Sequence, residues 1–123
     1  MANDFKRFAK PSVGTSTGAS ADAVYTVPAG AGSSALESII IGITLANKTS
    51  TGVTASVFLE NEDGSNDVFI VKDATVPAGS SLEIMSGNKL VVQNDGSNAD
   101  VIRISCGTAS ALDALITVLE DVL

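Results

Sequence analysis

From residue 23 onward the chain consists of short segments in which apolar and polar residues alternate. Residues 53–60 show the pattern best, because Val53, Ala55, Val57 and Leu59 alternate with residues suited to the opposite face. This two-residue period is that of a β-strand with one buried side. Clusters of Asn, Asp, Gly and Ser at 62–66, 86–88 and 95–98 supply residues that tolerate the positive φ angles of tight hairpins. Strands at intervals of about 8–12 residues are typical of sandwiches and barrels. The sequence therefore predicts an all-β protein, an antiparallel β-sandwich of jelly-roll or immunoglobulin-like type with about eight strands.

The most apolar segment, residues 38–47, is predicted to be a core strand. Uninterrupted alternation would place Ile39, Ile41, Ile43 and Leu45 on the buried face. Ile40 would then lie on the opposite face, among small residues.

The first 22 residues differ in charge from the remainder. They carry three basic and two acidic side chains, a net +1, whereas residues 23–123 carry four basic and twelve acidic ones, a net −8. Residues 11–20 are rich in Ser, Thr and Gly, a composition typical of a flexible linker. The sequence predicts two parts, an extended N-terminal arm over residues 1–22 and a β-sandwich domain over residues 23–123.

The arm is predicted to dock on another protein, with its aromatic side chains as anchors and its positive charge directed to an acidic surface. A solubilising tail is the alternative. A second contact is predicted on the sheet, where Phe58 is a large apolar residue on an otherwise polar strand face, together with one of the two alternating sets within residues 68–71. The predicted protein-interface residues are Phe5, Lys6, Arg7, Phe8, Lys10 and Phe58.

The composition disfavours most catalytic chemistry. The 123 residues include no His, no Trp and one Cys, so neither a Ser-His-Asp triad nor an imidazole metal ligand can form. Cys106 is predicted to be a buried small residue, and the acidic loop at 61–67 lacks the ligand register of a calcium-binding EF-hand. We predict no enzymatic activity, no cofactor and no metal. A net charge of −7 disfavours nucleic acid and anionic membranes as partners.

The C-terminal segment has two interpretations. Leu112, Leu115, Ile116 and Leu119 follow the spacing of a helix, and Ser110 with Asp113 resembles a capping box. Alternation over residues 114–118 favours a strand instead.

Several motifs together resemble a known family, the small virion structural proteins of tailed bacteriophages, particularly those of marine phages. The motifs that carry the resemblance are Asp4-Phe-Lys-Arg-Phe8, Val13-Gly-Thr15, Val24-Tyr-Thr-Val-Pro28, Leu45-Ala-Asn47, Phe69-Ile-Val-Lys-Asp73, Val76-Pro-Ala-Gly-Ser-Ser-Leu82 and Leu112-Asp-Ala-Leu-Ile-Thr-Val-Leu-Glu120. The resemblance implies a strand at the C-terminus, although Leu115 and residues 121–123 depart from the family's pattern. It implies no catalytic or ligand-binding residues.

The resemblance also implies a function. We expect a non-enzymatic virion protein, made in the host cytoplasm, that forms homo-oligomers and contacts other virion proteins. It would decorate or cement the capsid, or act as an accessory subunit of the neck or tail. The alternative is a stand-alone carbohydrate-binding β-sandwich, which exposed stacking aromatics would favour; aromatic residues make up only 4% of this chain.

Overall fold

The computed structural model describes residues 4–61, 67–85 and 87–120. It contains nine β-strands and two short 3-10 turns, at Gly18–Ser20 and Ala31–Ser33. The strands are β1 Asp4–Lys10, β2 Asp22–Thr26, β3 Leu36–Asn47, β4 Val53–Glu60, β5 Val68–Val76, β6 Ser81–Glu83, β7 Leu90–Asn94, β8 Val101–Cys106 and β9 Leu112–Glu120. Among the described residues no helix is long and apolar enough to cross a membrane.

The strands form two antiparallel sheets that pack face to face. Sheet A has the order β1-β9-β3-β6, with β7 also paired to β3, and sheet B has the order β2-β8-β4-β5. Strands β7 and β6 pair with successive parts of β3, residues 36–40 and 44–46, and so occupy one position in the sheet. Apart from β4 and β5, which are neighbours in sheet B, consecutive strands then alternate between the sheets, the order of a jelly roll. The prediction of an antiparallel β-sandwich is confirmed.

The core lies between the sheets and consists of aliphatic side chains. Fully buried residues from sheet A, such as Ile43 and Ile116, face Val57, Ile102 and Ile104 of sheet B. Side chains point to alternate sides of a strand, so each strand gives every second residue to this layer. That alternation accounts for the regular burial along β9.

A β-bulge changes the side-chain phase of β3. The pairing with β9 shifts between Ile40 and Gly42, so the strand gains a residue relative to its partner. Ile40 is fully buried, Ile39 is half-buried on the outer face and Ile41 is exposed. The prediction that Ile39 and Ile41 share the buried face was therefore wrong, whereas Ile43 and Leu45 are buried as expected.

The C-terminal segment is a strand. β9 lies between β1 and β3 and pairs with both along nearly its whole length. An interior sheet position supplies two hydrogen-bonded neighbours, which decides between the helix and strand interpretations. Residues 121–123 lie outside the described part of the chain.

The N-terminal residues belong to the sandwich. β1 is an edge strand of sheet A, paired with β9 from Asp4 to Lys10. The following segment is held by a hydrogen bond from the Val13 N–H to the Leu112 carbonyl and one from the Cys106 N–H to the Gly14 carbonyl, and Val13 is fully buried. The predicted arm is extended, but it pairs with its own domain instead of leaving it. Local composition could not show this, because the partner strand lies about a hundred residues further along the chain.

Candidate functional site

The residues predicted to dock the N-terminal segment divide between the two faces of β1. Phe5 and Arg7 point to solvent on the outer face of sheet A, and Phe5 is 75% exposed. Phe8 points inward, where its ring lies 4.7 Å from that of Tyr25. Lys6 and Lys10 share the inward side with Phe8 by strand alternation. The structure therefore does not bring the five residues together on one surface.

Lys6 belongs to a buried polar cluster at the edge of the core. Its ammonium lies 3.0 Å from Glu120 Oε1, and the Tyr25 hydroxyl donates a 2.8 Å hydrogen bond to Glu120 Oε2. The same hydroxyl lies 2.9 Å from Ser38 Oγ. The cluster joins four strands from both sheets around a carboxylate that is nearly buried. Its contacts satisfy a charge that would otherwise be costly to bury, so we assign it a structural role.

The charges in this cluster support one another. The hydrogen bond and the charge of Glu120 raise the pKa of Lys6 above its ordinary value. Burial raises the pKa of Tyr25 strongly, and the neighbouring carboxylate raises it further, while the hydrogen bond with Ser38 acts in the opposite direction. At neutral pH Lys6 is therefore charged and the Tyr25 hydroxyl keeps the proton that it donates.

The outer face of sheet A carries an apolar row across four strands. Cross-strand pairs run from Phe5 to Leu119, from Leu119 to Ile39 and from Ile39 to Val91. Directly opposed residues of neighbouring strands project on the same side. Phe5 and Val91, the ends of this row, are 75% and 57% exposed. We call Phe5, Leu119, Ile39 and Val91 the sheet A row.

Sequence reasoning identified only Phe5 of the sheet A row. Ile39 was assigned to the core, and nothing in the local sequence distinguishes the two faces of β7 or β9. The contribution of Ile39 depends on the bulge in β3, which reverses the alternation on which the assignment rested.

A second polar cluster holds the chain after β1 against the sandwich. Asp113 Oδ1 accepts hydrogen bonds of 2.9 Å from the Ser12 N–H and from the Lys48 ammonium. The Lys48 ammonium also donates to Ser12 Oγ. The bond from Lys48 is the main cause of a pKa of Asp113 below its ordinary value, and the Ser12 N–H adds to it. The carboxylate therefore fastens the N-terminal segment to β9.

We expect Asp113→Asn to weaken folding at neutral pH but to have little effect in acid. Because folding lowers the pKa of Asp113, its stabilisation is present above the unfolded-state pKa and is lost as the pH falls through the folded-state value. The urea midpoints of wild type and Asp113→Asn should differ at pH 7 and converge at low pH. Asp67→Asn, an exposed carboxylate outside this cluster, is the control. A midpoint difference that persists unchanged in acid would contradict this role.

Phe58 lies on the outer face of sheet B, as predicted, but it is only 6% exposed. The ring of its cross-strand partner Phe69 lies 5.6 Å away at an angle of 52°. Arg103 is its other cross-strand neighbour, and Arg103 Nη1 donates a 2.6 Å hydrogen bond to the Ala21 carbonyl. Phe58 was expected to be an exposed contact, but the structure buries most of its side chain. Phe69 remains 54% exposed.

Beside these two rings the outer face of sheet B has a cleft of about 320 Å³. Phe58 and Phe69 form its apolar wall, and the hydroxyl-bearing residues Thr15 and Thr17 line it from the N-terminal segment. Lys72, Asp73, Ser56 and Ser105 are among its other polar members. We call this the sheet B cleft.

Cys106 and the acidic loop are the remaining candidate residues from the sequence. Cys106 is 5% exposed, and its Sγ lies 2.9 Å from the Thr108 carbonyl and 3.3 Å from that of Val13. This is the buried position predicted for it. Within the ranges that the structure describes, no three His, Cys, Asp or Glu side chains are grouped as a metal site would require. The loop considered for calcium falls mostly on residues 62–66, which lie outside those ranges.

Comparison with known proteins identifies no family. The sequence matches no protein-family profile and no curated protein. One solved structure is similar over 95% of this chain, a chain from the "Structure of infectious bursal disease virus Gt strain", with 10% sequence identity and a TM-score of 0.41. This protein spans 30% of that viral chain. A likeness of this strength identifies neither a family nor a function.

Proposed function

We propose that this protein is a non-enzymatic structural subunit of a tailed-bacteriophage virion. It assembles as a homo-oligomer and either decorates the capsid or serves as an accessory subunit of the neck or tail. The observation that carries the proposal is the sheet A row, a line of apolar side chains across the outer face of four strands that is exposed at its two ends. The motifs that resemble small phage virion proteins support the virion as its location.

The sheet A row is suited to contact with a protein. Burying an exposed aliphatic or aromatic side chain contributes about 1.5–3 kcal/mol, so the exposed ends of the row, Phe5 and Val91, are its main driving force for association. Contiguous exposed apolar residues with a polar border mark interaction surfaces in soluble proteins.

Charge on either side of the row favours a second copy of the chain as the occupant. Arg7 lies two residues beyond Phe5 on β1, and Glu37 lies two residues before Ile39 on β3. Because β1 and β3 both run antiparallel to β9, these two charges lie on opposite sides of the row. A two-fold axis along the row would place the Arg7 side of one subunit against the Glu37 side of the other. The surface is then self-complementary, as a symmetric dimer contact requires.

The test is the oligomeric state of two matched valine variants. Val91 on β7 and Val68 on β5 are 57% and 52% exposed, but only Val91 belongs to the sheet A row. We expect the wild type to sediment as an oligomer, Val91→Asp to sediment as a monomer with an unchanged far-ultraviolet spectrum, and Val68→Asp to behave as the wild type. A monomeric wild type, or equal effects of the two variants, would refute assembly through this face.

Location in the particle is tested separately by counting copies in purified virions with quantitative mass spectrometry. Hundreds of copies would indicate capsid decoration, whereas six to a few dozen would indicate the neck or tail. If the protein is missing from purified particles, the virion proposal fails even when the oligomer forms.

A further inference from the structure

We propose that the sheet B cleft is a binding site for a neutral saccharide. The cleft lies on the opposite outer face of the sandwich from the sheet A row, so it is independent of the proposed assembly surface. Its volume of about 320 Å³ is at the lower end of the range of ligand pockets, about 300–1,000 Å³, and suits one or two sugar rings.

A buried hydroxyl in the cleft is available to a ligand. Ser105 is only 6% exposed and lines the cleft. Within the described part of the chain, no hydrogen bond to its Oγ is found. A buried hydroxyl is normally paired, because leaving it without a partner is destabilising. A sugar hydroxyl can both donate to it and accept from it.

The backbone at Asp73 is held in an uncommon conformation at the same place. Opposite Ser56, β5 has an extra residue, since the pairing moves from Ala55–Ala74 to Val57–Val71. Asp73 has a φ of 52°, in the left-handed region that favours glycine. Its N–H donates a 3.0 Å hydrogen bond to Ser56 Oγ. Bulges of this kind redirect side chains near functional sites, and here the bulge places a carboxylate at the cleft.

The aromatic pair supplies the apolar surface that a sugar needs. Phe69 is 54% exposed and lines the cleft, with its ring centre 5.6 Å from that of Phe58 and 5.5 Å from the Lys72 ammonium. A pyranose ring presents C–H groups on one face and hydroxyls around its rim. Phe69 would contact the C–H face while Asp73, Lys72 and Ser105 bind hydroxyls.

The balance of charge favours an uncharged ligand over an anionic one. The chain has a net charge of −7, and the cleft carries one carboxylate against one ammonium, so phosphates and nucleotides are disfavoured. An uncharged ligand with many hydroxyls fits both the balance of charge and the hydroxyl-rich lining. A carbohydrate-binding module is the alternative function that the sequence predicts, and the residues of the cleft would form its site.

The experiment is an amide-shift titration of the full ¹⁵N-labelled chain with glucose, galactose, mannose and N-acetylglucosamine, each in turn. We expect at least one sugar to shift the amides of Ser56, Phe69, Lys72, Asp73 and Ser105 in a saturable manner. Glycerol, which has hydroxyls but no ring face, should not. No saturable shifts with any of the four sugars, or equal shifts with glycerol, would overturn the proposal.

Three variants separate binding from folding. Phe69→Ala should weaken the affinity about tenfold or more, which is the loss expected for a principal contact. Asp73→Gly should abolish the shifts while keeping or raising the thermal midpoint, because glycine relieves the positive φ. Val68→Ala, equally exposed on the same strand but outside the cleft, should bind as the wild type. Unchanged affinity in both Phe69→Ala and Asp73→Gly would place the sugar elsewhere and overturn the assignment.

Discussion

Tyr25→Ala is expected to lower the free energy of unfolding by about 3–5 kcal/mol, the usual cost of removing a buried aromatic ring. The Tyr25 ring is 2% exposed and packs against Phe8, while its hydroxyl contacts both Ser38 and Glu120. The substitution therefore removes core packing and leaves a buried carboxylate with fewer partners. Urea unfolding followed by circular dichroism measures the loss, with both proteins in a Val91→Asp background so that self-association does not contribute.

Tyr25→Phe divides this effect into its two parts. It retains the ring and should cost about 1–3 kcal/mol, the penalty for leaving a buried polar group without its hydrogen bond. Thr26→Ala, at the exposed neighbouring position, should change stability by no more than about 0.5 kcal/mol. If Tyr25→Phe were as stable as the wild type, the Glu120 cluster would contribute nothing to the fold.

The same variant makes a prediction about alkaline pH. Folding raises the pKa of Tyr25, so the stabilisation is complete below the unfolded-state value of about 10 and declines as the pH rises above it. Wild-type stability should therefore fall more steeply than that of Tyr25→Phe in this range. Parallel curves for the two proteins would contradict the inferred burial of the hydroxyl.

Gly96→Ala is expected to destabilise the protein by about 2–5 kcal/mol, through unfavourable φ strain and overpacking together. Gly96 lies in the hairpin between β7 and β8 with a φ of 100°. A Cβ atom there would collide with the carbonyl oxygen of Ser33, which is backbone and cannot rotate away. The hairpin and the turn Ala31–Ser33 would have to separate.

Gly87→Ala is the matched control for this effect. Gly87 has a similar φ of 86°, but a Cβ there meets no atom within 4 Å. It should incur only the conformational cost, about 1–2 kcal/mol. Thermal unfolding of the two variants measures the difference, and equal losses would show that the contact with Ser33 is unimportant.

The class of fold was predictable because its signals are local. Alternation in β4 and the Asn, Asp and Gly turns depend on residues within a few positions of one another. The same local reasoning assigned β3 to the core yet put Ile39 and Ile41 on the wrong face. The bulge is a feature of the pairing between β3 and β9, which is distant in the sequence.

The N-terminal segment shows the same difference between what local sequence predicts and what long-range strand pairing decides. Its Ser, Thr and Gly content predicts a linker, and nothing near it specifies pairing with β9. The docking assignment grouped five residues that β1 distributes over two faces, while Phe58 was correctly placed on the outer face but is covered.

Local patterns in the sequence predicted the β-sandwich, and the absence of His rules out histidine chemistry. Tertiary structure alone decided which side chains share a face: the sheet A row needs four strands in register, and the sheet B cleft needs a bulge in β5 opposite Ser56. The difference arises because the two kinds of interaction act over different distances along the chain. Strand propensity and turn chemistry act over a few residues, whereas partner choice and register are set by hydrogen bonds between segments far apart in the chain.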